Sequence, residues 1–179
     1  VSLSEDRHGS TNSAYQFDGI DGHLKRTTSS LPDMENATVS AWVRTTKAER
    51  STVFHDGWAA GGGNDTMMWV TESSVVLRAD KSGATLGNNF QHSVNIDNIR
   101  NQWSHVVWRM SPTGSDVYLN GVLAGSINEP GSMVGFHDPL MIGAWFDTNA
   151  ATPLRDLFEG HIDDVRIYDR ALSDDELTE

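Results

Sequence analysis

The segment Ser104-His-Val-Val-Trp-Arg-Met110, followed by Asp116-Val-Tyr-Leu-Asn-Gly121 and Val122-Leu-Ala124, decides the architecture. In the first run Val106, Trp108 and Met110 alternate with His105, Val107 and Arg109. A period of two sends the two sets to opposite faces of a β-strand. Asn120-Gly121 is a strong hairpin signal, because both residues tolerate the positive φ of a tight two-residue turn. Working outward, short runs rich in β-branched and aromatic residues recur at Ala37–Thr45, Ser51–Phe54, Met67–Thr71, Ser74–Ala79, Pro139–Ala144 and His161–Tyr168. Turn residues, among them many of the 16 glycines, separate them. Strands of this length and spacing predict an all-β, two-sheet antiparallel β-sandwich. No stretch of about 12 residues keeps a 3.6-residue period, which disfavours helical and α/β folds. The loosest stretch is 57–65, with Gly61-Gly-Gly63, and 80–101 is expected to be the longest irregular loop. Near the end, Leu172-Ser-Asp-Asp-Glu-Leu177 combines a capping box, Ser173 with Glu176, and a staple, Leu172 with Leu177. That pattern predicts a short C-terminal helical turn.

The 179 residues suit one domain spanning 1–179, and 37% hydrophobic content with six Trp and six Phe supplies a core. Thirteen basic against 25 acidic residues leave a formal charge of −12. A field of that sign repels phosphate backbones, so nucleic acid is not an expected partner. No apolar run approaches the roughly 18–20 residues of a membrane helix, and membrane insertion is not expected either. With no cysteine, disulfide scaffolds, thiolate zinc sites and cysteine nucleophiles are excluded. The chain opens Val-Ser-Leu-Ser-Glu5 without an initiator Met, and is expected to be a domain excised from a larger multidomain protein, monomeric within it.

A set of ordered motifs resembles the bacterial laminin-G-like, concanavalin A-like lectin/glucanase jelly-roll domains. They are Asp6-Arg-His-Gly9, Ala14-Tyr-Gln-Phe-Asp-Gly-Ile-Asp-Gly22, Thr38-Val-Ser-Ala-Trp-Val-Arg44 and Trp103-Ser-His-Val-Val107. Val117-Tyr-Leu-Asn-Gly-Val122, Leu140-Met-Ile-Gly-Ala144 and Phe158-Glu-Gly-His-Ile-Asp-Asp-Val-Arg-Ile-Tyr-Asp-Arg-Ala-Leu-Ser173 complete the series. The resemblance implies a two-sheet antiparallel jelly roll of about thirteen strands, one sheet concave, whose first and last strands are neighbours. It also implies an extracellular module, secreted or at the cell surface, often with structural calcium and often attached to a polysaccharide-degrading enzyme or adhesin.

Calcium wants six to eight oxygens, and acidic residues beside glycines are suitable donors. Asp18 and Asp21, in Asp18-Gly-Ile-Asp-Gly22, and Asp163 with Asp164 are the candidate ligands, brought together if the terminal strands pair. The competing reading has Asp18 and Asp21 shaping a turn through local hydrogen bonds. Asp56 with Asp65 is a weaker candidate for a second ion.

Pyranose rings stack on aromatic faces while their hydroxyls seek polar side chains. Trp58 and Trp145 follow strand ends and enter loops, which makes them the stacking candidates. Trp42, Trp103 and Trp108 are expected to be core packing, and Trp69 is ambiguous. His55, Asn64, Arg78 and Arg109 are the expected polar contacts, and Arg78, His105 and Arg109 are expected to share one ligand-facing surface. A row of such cations would favour an anionic polysaccharide.

No glutamate opens the Glu-x-Asp-x-(x)-Glu arrangement that related glycoside hydrolases use. There is no His-Glu-x-x-His, Gly-x-Ser-x-Gly or phosphate-binding loop. The expectation is a non-catalytic, calcium-stabilised carbohydrate-binding module that holds a parent enzyme or adhesin against polysaccharide or oligosaccharide. The alternatives are a protein–protein or structural laminin-G-like module and a polysaccharide lyase or glycosidase.

Overall fold

The computed structural model describes residues 1–26, 31–57, 65–80, 89–129, 131–133, 139–147 and 150–178. Among these the chain opens with β1 (Ser2–Ser4), β2 (Ala14–Asp18), β3 (Leu24–Arg26), β4 (Ala37–Thr45) and β5 (Ser51–Gly57). It continues with β6 (Asp65–Val70), β7 (Ser74–Asp80), β8 (Asn89–Asn95), β9 (Ser104–Ser111) and β10 (Gly114–Leu119). The last strands are β11 (Val122–Ile127), β12 (Leu140–Ile142), β13 (Trp145–Phe146), β14 (Leu154–Arg155) and β15 (Glu159–Tyr168). A 3-10 turn at Asp175–Thr178 ends the described chain.

Two antiparallel sheets face each other. One runs β1-β2-β15-β4-β9-β10-β11 and the other β3-β12-β5-β6-β7-β8, while β13 and β14 form a separate two-stranded ribbon. The chain is therefore the expected all-β sandwich; the last strand, β15, lies between β2 and β4, and β2 separates it from the first strand, β1. Alternation places Val39, Ala41 and Val43 of β4, and Val106, Trp108 and Met110 of β9, in the core. They meet Phe54, Met68, Val70, Val75 and Leu77 of the second sheet. Each Val, Leu, Met or Phe among them stabilises the fold by roughly 1.5–3 kcal/mol of apolar burial.

Asn120 and Gly121 take positive φ values of 51° and 78°, the geometry a tight hairpin between β10 and β11 requires. At the C-terminus, the Ser173 N–H and hydroxyl both donate to Glu176 Oε2, at 2.9 and 3.0 Å. Leu172 and Leu177 pack on Val107 and Tyr118, outside the first sheet.

Two expectations need correction. The segment 80–101 is not one irregular loop, because β8 lies within it and pairs along β7. Its polar sequence hides the strand because β8 is an edge strand. Trp42 and Trp103 are not core residues: both are partly exposed, and Trp42 lies on the outer face opposite His105 and Asp163. Alternation sends Ala41 and Val43 inward and so turns Trp42 out. Trp108 is fully buried, as expected.

Candidate functional site

The outer face of the six-stranded sheet is built by register. Lys25, Met141, His55, Met67, Arg78 and Gln91 are successive cross-strand partners from β3 to β8. A second row runs Thr52, Trp69, Val76 and Ser93. In a regular strand Thr52 and His55, three apart, would face opposite sides. A bulge between Thr52 and Phe54 inserts an extra residue, so both face outward while Val53 and Phe54 join the core.

The ribbon β13–β14 lies over this face. Gly143, with φ of 84°, starts it, and an added Cβ there would lie 2.4 Å from the Phe17 ring, so only glycine fits. Asp156, also left-handed with φ of 46°, ends it. Both stems are tied to β5, through Gly143 N–H to Val53 O at 3.3 Å and Thr52 N–H to Asp156 O at 2.7 Å. Trp145 meets Trp69 edge-on, with centroids 6.1 Å apart. This cover leaves Trp69 only 1% exposed although it points away from the main core.

Three cations sit on three rings here. Arg50 lies 4.7 Å from the Trp69 centroid, Arg155 lies 5.0 Å from Trp145, and Lys25 Nζ lies 4.4 Å from Phe146. Arg155 also pairs with Asp147 at 3.1 Å, and Arg78 Nε approaches Asp65 Oδ1 at 2.7 Å. The Asp65 side chain is wholly buried, and burial pushes its carboxyl up to about 6 against the pull of Arg78. Burial, together with the Arg78 charge, pushes His55 down to about 3, so its imidazole is neutral. His55 Nδ1 accepts the Phe146 N–H at 3.4 Å, which leaves the proton on Nε2. That donor has no acceptor among the described residues, and Trp145 Nε1 and Thr52 Oγ1 are likewise buried without a partner. Buried polar atoms are almost always paired, so a group of unspent ones marks a place where water or a ligand completes the bonding. Trp145 is partly exposed whereas His55 and Thr52 are fully buried, so the face offers one accessible ring above donors that are themselves covered.

A family model for the concanavalin A-like lectin/glucanases superfamily, of laminin-G type, matches residues 18–178. The chain belongs to this superfamily. No curated protein matched. Among solved structures, the chain is similar to the native heptameric SAP-like pentraxin from Limulus polyphemus, at 19% identity and a TM-score of 0.66, over 91% of this chain and 78% of that one. It is also similar to the Ruminococcus gnavus IT-sialidase CBM40 bound to α2,3-sialyllactose, at 16% identity and a TM-score of 0.65, over 87% and 96%. A third is the binding domain of Paraclostridial Mosquitocidal Protein 1, at 14% identity and a TM-score of 0.71, where this chain spans 99% of its own length and 44% of the other's. At these identities the likeness is one of fold.

On this concanavalin A-like scaffold the expected site residues fall into separate groups. His55, Arg78 and Trp145 share the face just described, whereas Trp58 and Asn64 lie outside the described residues. Arg109 does not join them. It sits on the outer face of the other sheet, pairing with Asp116 at 2.8 Å and Asp174 at 2.6 Å and donating to Leu172 O at 3.0 Å. His105 is on that sheet too, stacked on Trp42 at 5.1 Å, so the expected row of Arg78, His105 and Arg109 is not formed. Alternation assigns a residue to a face of its strand but not to a sheet. Trp69 and Thr52 escaped the sequence reading of the site. Trp69 had only apolar neighbours to judge from, and the bulge that turns Thr52 outward has no sequence mark.

The four aspartates expected to bind calcium do not fit one coordination shell. Asp18 Oδ1 accepts the N–H groups of Ile20, Asp21 and Gly22, at 2.9, 3.2 and 2.9 Å, which pulls its carboxyl down to about 2. This is the local turn of the competing reading. Asp18 is opposite Glu159 on β15, and Asp163 lies four residues further, about 13 Å along the strand at ~3.3 Å per residue. Asp163 and Asp164 are held by Arg7 at 2.8 and 3.0 Å. The other pair fares no better. Asp65 is opposite Gly57, one residue beyond Asp56, so the two carboxylates start on opposite faces of the sheet. Among the described residues no group of three or more acidic or histidine side chains is placed to hold a metal.

Proposed function

We propose that the domain is a non-catalytic carbohydrate-binding module, and that the sugar lies on the outer face of the six-stranded sheet beside the ribbon. The observation that carries this reading is the set of unspent donors, His55 Nε2, Trp145 Nε1 and Thr52 Oγ1, gathered beside the cation-backed rings of Trp69 and Trp145. These donors are buried, so a pyranose stacked on the partly exposed Trp145 would meet them through water. The half-exposed Arg155 and the partly exposed Arg78 suit a sugar that carries acidic groups. The similarity to a carbohydrate-binding module solved with sialyllactose supports the general class. The domain's task in this reading is extracellular, anchoring an enzyme or adhesin to polysaccharide.

Against catalysis stands the burial of Asp65. Its raised carboxyl has the acidity of a general acid, but its side chain is wholly buried behind Arg78, and an acid catalyst must touch the bond it protonates. Calcium, expected from the resemblance, is no part of this reading, because the four candidate aspartates do not share one coordination shell, and equal melting temperatures in calcium and in chelator are the expected result.

Retardation in native gels containing neutral and acidic polysaccharides tests the binding reading. Retardation by an acidic polymer, lost in Trp145→Ala with the fold intact, is the expected result. A folded protein retarded by none of them would point instead to a protein-interaction module, and new chain ends in the polymer would point to an enzyme.

A further inference from the structure

The outer face of the seven-stranded sheet carries a cation of its own where an ion was expected. Asp6 Oδ1 accepts the N–H groups of His8 and Ser10, both at 2.8 Å, and this turn presents Arg7 to the middle of β15. Arg7 Nη1 meets Asp163 Oδ2 at 2.8 Å and Nη2 meets Asp164 Oδ2 at 3.0 Å, so one guanidinium bridges the two carboxylates. The remaining oxygens are also engaged. Asp163 Oδ1 accepts the Asp164 N–H at 2.8 Å, and Asp164 Oδ1 faces Arg166 Nη2 at 3.6 Å. The β-bulge between Asp163 and Arg166, with Asp164 at a φ of 46°, turns the consecutive carboxylates toward the same guanidinium. On its other side Arg7 stacks 4.7 Å from the Trp42 centroid, and Trp42 stacks in turn on His105.

A divalent ion at this pair would need carboxylate oxygens free to enter a shell of six to eight donors, and would meet two arginines. Two carboxylates against Arg7 and Arg166 already balance in charge. We propose that Arg7 is the built-in counter-cation of the Asp163–Asp164 pair, closing it to calcium and strapping the N-terminal segment to β15 and β4 without metal. The guanidinium does with two directed hydrogen bonds what an ion would do by coordination, and its charge cannot be removed by a chelator.

Terbium, which takes calcium's oxygen ligands and emits when an indole nearby absorbs, is the probe, with Trp42 as the built-in antenna. The wild type is expected to stay dark to terbium at this position and to melt alike in calcium and chelator. Arg7→Gln is expected to melt several degrees lower, to gain Trp-sensitised terbium emission, and to recover part of the loss in millimolar calcium. Adding Asp163→Asn to it should abolish the emission. If Arg7→Gln does not fold, Arg7→Lys, which keeps the charge but not the bidentate fork, serves instead with a smaller loss in melting temperature. A wild-type melt that falls in chelator and becomes insensitive to it in Asp163→Asn overturns the proposal. So does an Arg7→Gln protein that melts like the wild type and stays dark.

Discussion

The two outer faces of the sandwich spend their polar groups differently. On the seven-stranded sheet the charges satisfy one another. Arg7 holds Asp163 and Asp164, and Arg109 holds Asp116 and Asp174. Ser126 donates to Asp116 at 2.6 Å and Tyr118 to Asp174 at 3.0 Å. Among the described residues of that face one buried atom, His161 Nδ1, is left without a partner. On the other face, His55 and Thr52 of the six-stranded sheet and Trp145 of the ribbon keep unspent donors. A saturated network braces a fold, because every group has already exchanged water for a protein partner. An unsaturated one carries a desolvation cost that a ligand can relieve. The difference separates a braced surface from an unsaturated one, and the proposed binding reading rests on the second.

The sharpest way to break this contrast is through pH. His55 is held near 3 in the fold against 6.5 when unfolded, so between those values only the unfolded chain takes the proton. Stability is therefore lost as pH falls through that window. Asp65 works in the opposite sense: its carboxyl is raised from 3.8 to about 6, so its contribution falls as pH rises across that interval. His55 has the wider span and dominates. On going from pH 7 to pH 4, His55→Gln should lose about 3 kcal/mol less stability than the wild type, read by urea unfolding at each pH. Equal losses would mean that the His55 site is hydrated and its donor already satisfied.

A smaller effect is expected at the ribbon. Trp145→Ala removes the stacking ring and should weaken binding to the retarding polysaccharide about tenfold, equivalent to roughly 1.4 kcal/mol, while leaving the sandwich folded. Unchanged affinity would remove this face from the binding reading. The smallest effect is expected on the opposite side. Arg109→Ala should cost about 1 kcal/mol of stability through its partly buried network and leave polysaccharide affinity unaltered. A loss of affinity there would erase the distinction between the faces.

Much of the fold was legible in local pattern. The boundaries of Ala37–Thr45 coincide with β4, and the run at Ser104–Met110 falls one residue short of β9. Asn120-Gly121 marks its hairpin, and Ser173 with Glu176 marks the last turn. The site was legible only in pieces. Trp145 stood out as a loop tryptophan and His55 and Arg78 as polar strand residues, and the structure brings these three to one face. Arg109 looked equivalent to Arg78 because alternation is blind to which sheet a strand enters. Trp42 looked like core because an aromatic within an apolar strand carries no sign of its direction until the register is set.

The sequence by itself determined the central strands, the β10–β11 hairpin and the family, because these follow from a period of two, from residues that tolerate positive φ, and from ordered motifs. Only the tertiary structure decided which faces are braced and which are left unsatisfied. Strand pairing, the Thr52–Phe54 bulge and the fold-back of the ribbon act between residues far apart in the chain. Arg7 and Asp163 stand 156 positions apart, and nothing local to either announces that a guanidinium and a carboxylate will meet at 2.8 Å.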